Sequence, residues 1–178
     1  VKHAGENELE LPMFLRPTSE TPMYTMFPLW VRSHGDLPLK TFQIVNTFRY
    51  ETKQTRSFIR VREIHFFEAH TAHMDQEGAD AQIEEDAVIV QNLLHDLCFP
   101  AIVSKRPVWD TFPGAWFSNA VDVVMPNGRT LQVGTYHHYK DQWAKAFDLK
   151  YEDAEGQTQF CHQTTFGMSE RMLGAVVG

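Results

Sequence analysis

Two runs of β-forming residues, "FQIVNTFRYE" (42–51) and "FIRVREIHFFEAHT" (58–71), are joined only by the polar hexapeptide "TKQTRS". The spacing predicts antiparallel neighbours with a long loop. The same logic recurs downstream. "NAVDVVM" and "TLQVGTYHH" flank "PNGR", where Asn127-Gly128 predicts a type I′ hairpin. "KAFDLKYE" and "QFCHQTTFG" flank a turn at Glu155-Gly156, and "PMFLR" and "AIVSKR" read as short strands. Helical patterns lie between these runs. Residues 18–34 form one, capped by Thr18 or Ser19, with Met23, Phe27, Trp30 and Val31 on one face and Pro28 as a kink. A second runs from an Asp75 cap to about Leu97, with the "EEDA" segment facing water. A third begins near Ser169. Consecutive antiparallel strands with interposed helices predict an α+β fold, an antiparallel sheet flanked by helices, and not a doubly wound parallel sheet.

The 178 residues suffice for one domain with a proper core, and no linker or repeat divides them. No apolar run reaches membrane-spanning length, and the opening "VKHAGENELE" holds no apolar signal core. Cys98 and Cys161 are the only cysteines, which points to a reducing, cytoplasmic setting with both thiols buried. The chain does not begin with Met and ends in the apolar "SERMLGAVVG", so a piece of a longer protein is expected.

The formal net charge is -7, which argues against a general nucleic-acid coat. Yet residues 48–64 carry Arg49, Lys53, Arg56, Arg60 and Arg62 against Glu51 and Glu63. On strands, residues two apart share a face, so Arg60 and Arg62 would point together, as would Arg49 and Glu51. Fixed guanidiniums on a sheet suit a polyphosphate, and a carboxylate such as Glu51 suits an exocyclic amine. The same residues also suit a surface ladder of Arg–Glu pairs. In "RPTSE", Thr18 and Glu20 would hold a hydroxyl and a carboxylate at a strand-to-helix junction, toward a ligand amine or simply as a helix start. Gly134 before Thr135 permits a ligand to approach the backbone. His137 and His138 are adjacent on a strand, so at most one faces a given site. His70 and His73 lack further ligands at zinc spacing. Trp109 and Trp116 are expected to pack a loop onto the core or to line a pocket. Arg171 opens the last helix after Gly167.

Taken together, "FRYE…TRSFIRVRE" and "GMSER" resemble the second and third signature motifs of class II aminoacyl-tRNA synthetases. The set "LRPTSET", "NTFRYETKQTR", "EAHTAH", "GTYHH" and "GMSERMLGA" is similar, over nearly the whole chain, to prolyl-tRNA synthetases of the archaeal and eukaryotic type. The resemblance implies a seven-stranded-type antiparallel catalytic sheet and one catalytic-core domain over 1–178, without the first motif or the anticodon-binding domain. It implies activation of L-proline with ATP and Mg²⁺, transfer to tRNA(Pro), and a homodimer in the full-length protein.

Residue by residue, the resemblance implies that Arg49, Arg60 and Arg171 are catalytic. Thr18, Glu20, Arg49, Phe66 and His137 would hold proline. Arg49, Glu51, Arg60, Gln132, Thr135, Ser169 and Arg171 would hold ATP, with Gln132 near the magnesium ion. Lys53 and Arg56 would reach tRNA or the outer phosphates. Two departures stand out. Ile64 replaces an adenine-stacking Phe, and "YKDQW" replaces "LGQNF" after "GTYHH". A non-catalytic paralogue and a serine enzyme are the alternatives. A threonine enzyme would need a cysteine-containing zinc site, and neither cysteine lies near the matching motifs.

Overall fold

The computed structural model describes residues 1–52 and 54–178; Lys53 lies outside them. A small hairpin, β1 (His3–Ala4) with β2 (Asn7–Glu8), opens the chain, followed by α1 (Glu20–Trp30). Then come β3 (Leu39–Phe48), β4 (Glu63–His73), α2 (Gln76–Asp96), β5 (Ile102–Lys105), β6 (Phe117–Val124), β7 (Thr130–Lys140) and α3 (Gln142–Phe147). A second small hairpin, β8 (Lys150–Glu152) with β9 (Thr158–Phe160), precedes β10 (His162–Ser169) and α4 (Arg171–Val177).

The main sheet runs β3-β4-β10-β7-β6-β5, with every neighbouring pair antiparallel. The α+β expectation holds, with six strands among the described residues where the resemblance implied seven. One face of the sheet buries Ile83, Val90 and Leu94 of α2 against Val121, Val133, Tyr136 and Phe166. The other buries Tyr24 and Phe27 of α1 against Tyr139, Leu149 and Cys161. This two-sided burial follows from the strand alternation: Tyr136 and Tyr139 leave β7 on opposite faces.

Several local expectations are corrected. "PMFLR" is not a strand, although the Phe48 N–H donates to Arg16 O at 2.8 Å as this segment passes β3. β4 begins at Glu63, so Arg60 and Arg62 lie in the preceding loop. The Asn127-Gly128 turn is not type I′. Pro126 holds its φ negative, Gly128 N–H bonds Met125 O at 2.8 Å, and only Gly128, at φ +77°, is left-handed. That is a type I turn followed by a left-handed glycine. "KAF" belongs to α3 rather than to a strand. Ser19 is the residue before α1, but its hydroxyl makes no capping bond. Asp75 caps α2 as predicted, accepting from Gly78 N–H at 2.8 Å. Cys161 is buried as expected, whereas Cys98 is exposed beyond the end of α2.

Asp86 breaks the expectation that "EEDA" faces water. It is 4% exposed and accepts from Gln82 Nε2 at 2.9 Å. Burial pushes its carboxyl up from 3.8 to about 6. The folded protein therefore binds this proton more tightly than the unfolded chain. The stability it contributes is complete below about 3.8 and lost as pH rises through about 6. Asp86→Asn should raise unfolding stability by about 2 kcal/mol at pH 7.5 and by almost nothing at pH 4. Urea denaturation at both pH values checks this; an equal gain at both would make it a packing effect.

Candidate active site

On the α1 face, β4, β10 and β7 line up by register. Glu68 lies opposite Gly167, which lies opposite Thr135; His70, Thr165 and His137 form the next row, toward α3. In the other direction β10 ends at Ser169, and Arg171 follows. Between these rows is a cavity of about 400 Å³. It is lined by nine of the predicted residues: Thr18, Glu20, Arg49, Phe66, Gln132, Thr135, His137, Ser169 and Arg171.

The acidic end is built from the start of α1. Glu20 is 3% exposed; Thr18 Oγ1 donates to its Oε2, and Tyr139 OH donates to Oε1 at 3.3 Å. Burial, with the nearby Glu20 carboxylate among the further causes, pushes the Tyr139 hydroxyl well above its ordinary value, so it stays a donor. His137 Nδ1 sits 2.7 Å from Ser118 Oγ, its ring 4.8 Å from that of Phe112. Burial lowers its pKa to about 4, so it is neutral near pH 7. His138 points the other way, 3.2 Å from Asp80. His70 and His73 likewise leave β4 on opposite faces and cannot share a ligand. His70 Nδ1 meets Thr165 Oγ1 at 3.2 Å, and His73 Nε2 meets Thr71 Oγ1 at 2.8 Å.

The basic end gathers Arg49 and Arg171. Arg49 follows the last residue of β3, and its N–H bonds Arg62 O at 2.9 Å. Arg171 donates through Nε to Ile59 O at 2.8 Å and through Nη1 to Gln132 O at 3.2 Å. Burial, then the Arg49 and Arg60 guanidiniums, lower the Arg171 pKa. Converging like charges are unfavourable without a counter-charge, so this end is suited to an anion.

Glu51 and Arg60 do not line the cavity. They pair with each other at 3.6 Å, while Arg62 Nε donates to Glu51 O at 2.8 Å. Arg56, Arg60 and Arg62 line a neighbouring open groove. Ile64 does not line the cavity either; it is buried opposite Thr47. Phe66 reaches the wall because Gly167 lies beneath it: a Cβ there would sit 2.8 Å from the ring. Trp109 is 89% exposed and lines the cavity instead of packing on the core. Trp116 is partly exposed, with Lys140 Nζ 3.5 Å from its ring centre.

The departing "YKDQW" segment buttresses this wall. Trp143 stacks on Phe147, and its indole lies so close to Gly114 that a Cβ there would clash. Thr165, Phe112 and Met168 also line the cavity and went unpredicted. Thr165 was accessible to reasoning, because it shares a strand face with Gly167 and Ser169. Phe112 comes from an irregular loop that carries no period. A larger apolar groove of about 850 Å³ lies between residues 56–59, the Pro126 turn and α4, and holds Arg56 but none of the nine residues that line the cavity.

A family model described as tRNA synthetase class II core domain (G, H, P, S and T) matches residues 4–178. The chain belongs to this family. Within the class II synthetase core, it is 59% identical to the proline--tRNA ligase of Pyrococcus abyssi, over 99% of this chain and 37% of that protein. It is 55% identical to that of Thermoplasma volcanium, over 100% of this chain and 38% of the relative. A solved structure, "Giardia lamblia Prolyl-tRNA synthetase in complex with prolyl-adenylate", superposes with a TM-score of 0.96 at 42% identity. The match covers 99% of this chain and 36% of that one. The chain therefore spans little more than a third of the length of these relatives. Among the described residues, no helix is long and apolar enough to cross a membrane.

Proposed function

We propose that this chain is the catalytic core of a cytoplasmic, homodimeric enzyme that activates L-proline with ATP and transfers it to tRNA(Pro). The supporting observation is the polarity of one cavity. A buried carboxylate, Glu20, stands at one end and guanidiniums at the other, with the neutral His137 and the Phe66 ring on its walls. A zwitterionic imino acid beside a triphosphate has that distribution of charge. The Giardia relative, crystallised with prolyl-adenylate, is consistent with it.

In this reading, Glu20 and Thr18 hold the secondary ammonium of proline, and Phe66 and His137 border its ring. Arg49 draws the proline carboxylate toward the α-phosphate of ATP. A carboxylate oxygen attacks that phosphorus, the new O–P bond forms, and the bond to pyrophosphate breaks. The carboxylate is already ionised at neutral pH, so positioning and charge neutralisation do the catalytic work. Thr135, Ser169 and Arg171 face the nucleotide, and a terminal ribose hydroxyl of tRNA then attacks the adenylate carbonyl, releasing AMP. Glu51 and Arg60 would have to exchange their mutual pairing for contacts to the adenine amine and the outer phosphates.

Magnesium is compatible with the donors at this end. The Gln132 carboxamide and the Thr135 and Ser169 hydroxyls are hard, neutral oxygens, which suits an ion carried mainly by substrate phosphates. When bound it would neutralise phosphate charge. Arg56 lies in the loop beside the cavity, where it would meet phosphates of ATP or of tRNA; Lys53 lies outside the described residues. The deciding experiment is amino-acid-dependent ATP–pyrophosphate exchange by the full-length protein. Proline should stimulate exchange. Stimulation by serine alone would overturn the substrate, and no exchange with any amino acid would favour a paralogue that binds without catalysing.

A further inference from the structure

Glu68 lies on β4 beside the acidic end, is 1% exposed, and lines no part of the cavity. A carboxylate buried this deeply requires several donors. Its Oε1 accepts from the Ser19 N–H at 3.2 Å and stands 3.4 Å from Thr18 Oγ1. Its Oε2 accepts from Gln43 Nε2 at 3.0 Å and lies 3.7 Å from His70 Nε2. Burial opposes its ionisation, but His70, Ser19 and Gln43 together hold its carboxyl below the ordinary range. It is therefore an acceptor only. Its neighbour His70 touches Thr165 Oγ1, which in turn meets Tyr24 OH at 2.7 Å, so the same network braces both walls.

The Thr18 hydroxyl has one proton and two carboxylates within reach. It donates to Glu20. A hydroxyl can accept from a ligand while its own proton goes elsewhere. The secondary ammonium of an imino acid carries two N–H groups. If Glu20 takes one, Thr18 must give up its donation to Glu20 in order to accept the other, and the acceptor waiting for its proton is Glu68 Oε1.

We propose that Glu68 is a positioning residue for imino-acid binding, taking the Thr18 proton so that Thr18 and Glu20 each accept one substrate N–H. This rests on the reading of the cavity as an imino-acid site. The test is ATP–pyrophosphate exchange by full-length wild type, Thr18→Val, Glu68→Gln and the double variant. Glu68→Gln should raise KM for proline about tenfold or more while KM for ATP stays within about twofold. In the Thr18→Val background it should add less than about twofold, because the role runs through Thr18.

An unchanged KM for proline, an equal rise in both KM values, or a full effect without Thr18 would each overturn the proposal. Should Glu68→Gln fail to fold, Gln43→Leu removes one support of the carboxylate. It should raise KM for proline in the same direction, and no change would again overturn the proposal. A wild type without proline-dependent exchange would overturn the site reading and this inference with it, whereas an active wild type with an indifferent Glu68→Gln overturns this inference alone.

Discussion

Arg49→Ala is expected to reduce proline-dependent ATP–pyrophosphate exchange by about 10³-fold. Arg49 stands where β3 ends, between the acidic start of α1 and Arg171, and its backbone is tied to Arg62. In the proposed reading it touches both the amino-acid carboxylate and the α-phosphate, so its loss would remove both orientation and charge. Among the described residues its side chain donates only a long bond, to Pro17 O at 3.5 Å, so the fold should not depend on it. Arg49 also repels Arg171. The variant should thus unfold no more easily than wild type without ligand while losing activity. Near-normal exchange would refute the assignment, and a collapsed unfolding midpoint would refute the claim that its role is chemical.

Glu20→Gln should lower kcat/KM for proline by about 10²-fold or more, with KM for ATP little changed. Glu20 is nearly inaccessible, and in the proposed reading it pairs with the substrate ammonium, so removing its charge would leave that ammonium desolvated and unpaired. The shape is conserved, and Tyr139 can still donate to the carboxamide oxygen. Steady-state exchange against proline and against ATP separates the two effects. An equal loss for both substrates would mean that Glu20 maintains the fold of the whole cavity and not the ammonium contact.

The antiparallel α+β architecture was legible because its determinants are local: alternation along β7, the Asp75 cap and the absence of helical runs between β3 and β4. Nine of the candidate site residues share one cavity: Phe66, Gln132, Thr135, His137 and Ser169 lie along β4, β7 and β10, whose register aligns them, Arg49 follows β3, Arg171 opens α4, and Thr18 and Glu20 stand at the start of α1. Glu51 and Arg60 escaped that logic. Residues 56–60 are seated by Arg171 on Ile59 O and by Gly174 beneath Phe58, contacts more than 100 residues apart in sequence that no short-range pattern encodes. The Asn-Gly signal for a type I′ turn lost to Pro126, whose ring fixes the opposite sign of φ. Asp86 looked solvated because its two acidic neighbours are. The helical period places it toward the sheet, and only the packed structure reveals that, among the described residues, Gln82 is its sole donor.

The position of β10 has a consequence for how the cavity comes into being. β3 with β4, and β6 with β7, are pairs of strands near in sequence and can associate early. β10 is made last of the six and must enter between them, completing ladders to His73–Phe66 on one side and Lys140–Gly134 on the other. Until it does, both inner edges are open to intermolecular pairing. Thr18, Glu20 and Arg49 belong to one half and Gln132 and His137 to the other, so neither half alone constitutes a binding site. During synthesis, competence to bind substrate should therefore not appear before β10 has left the ribosome.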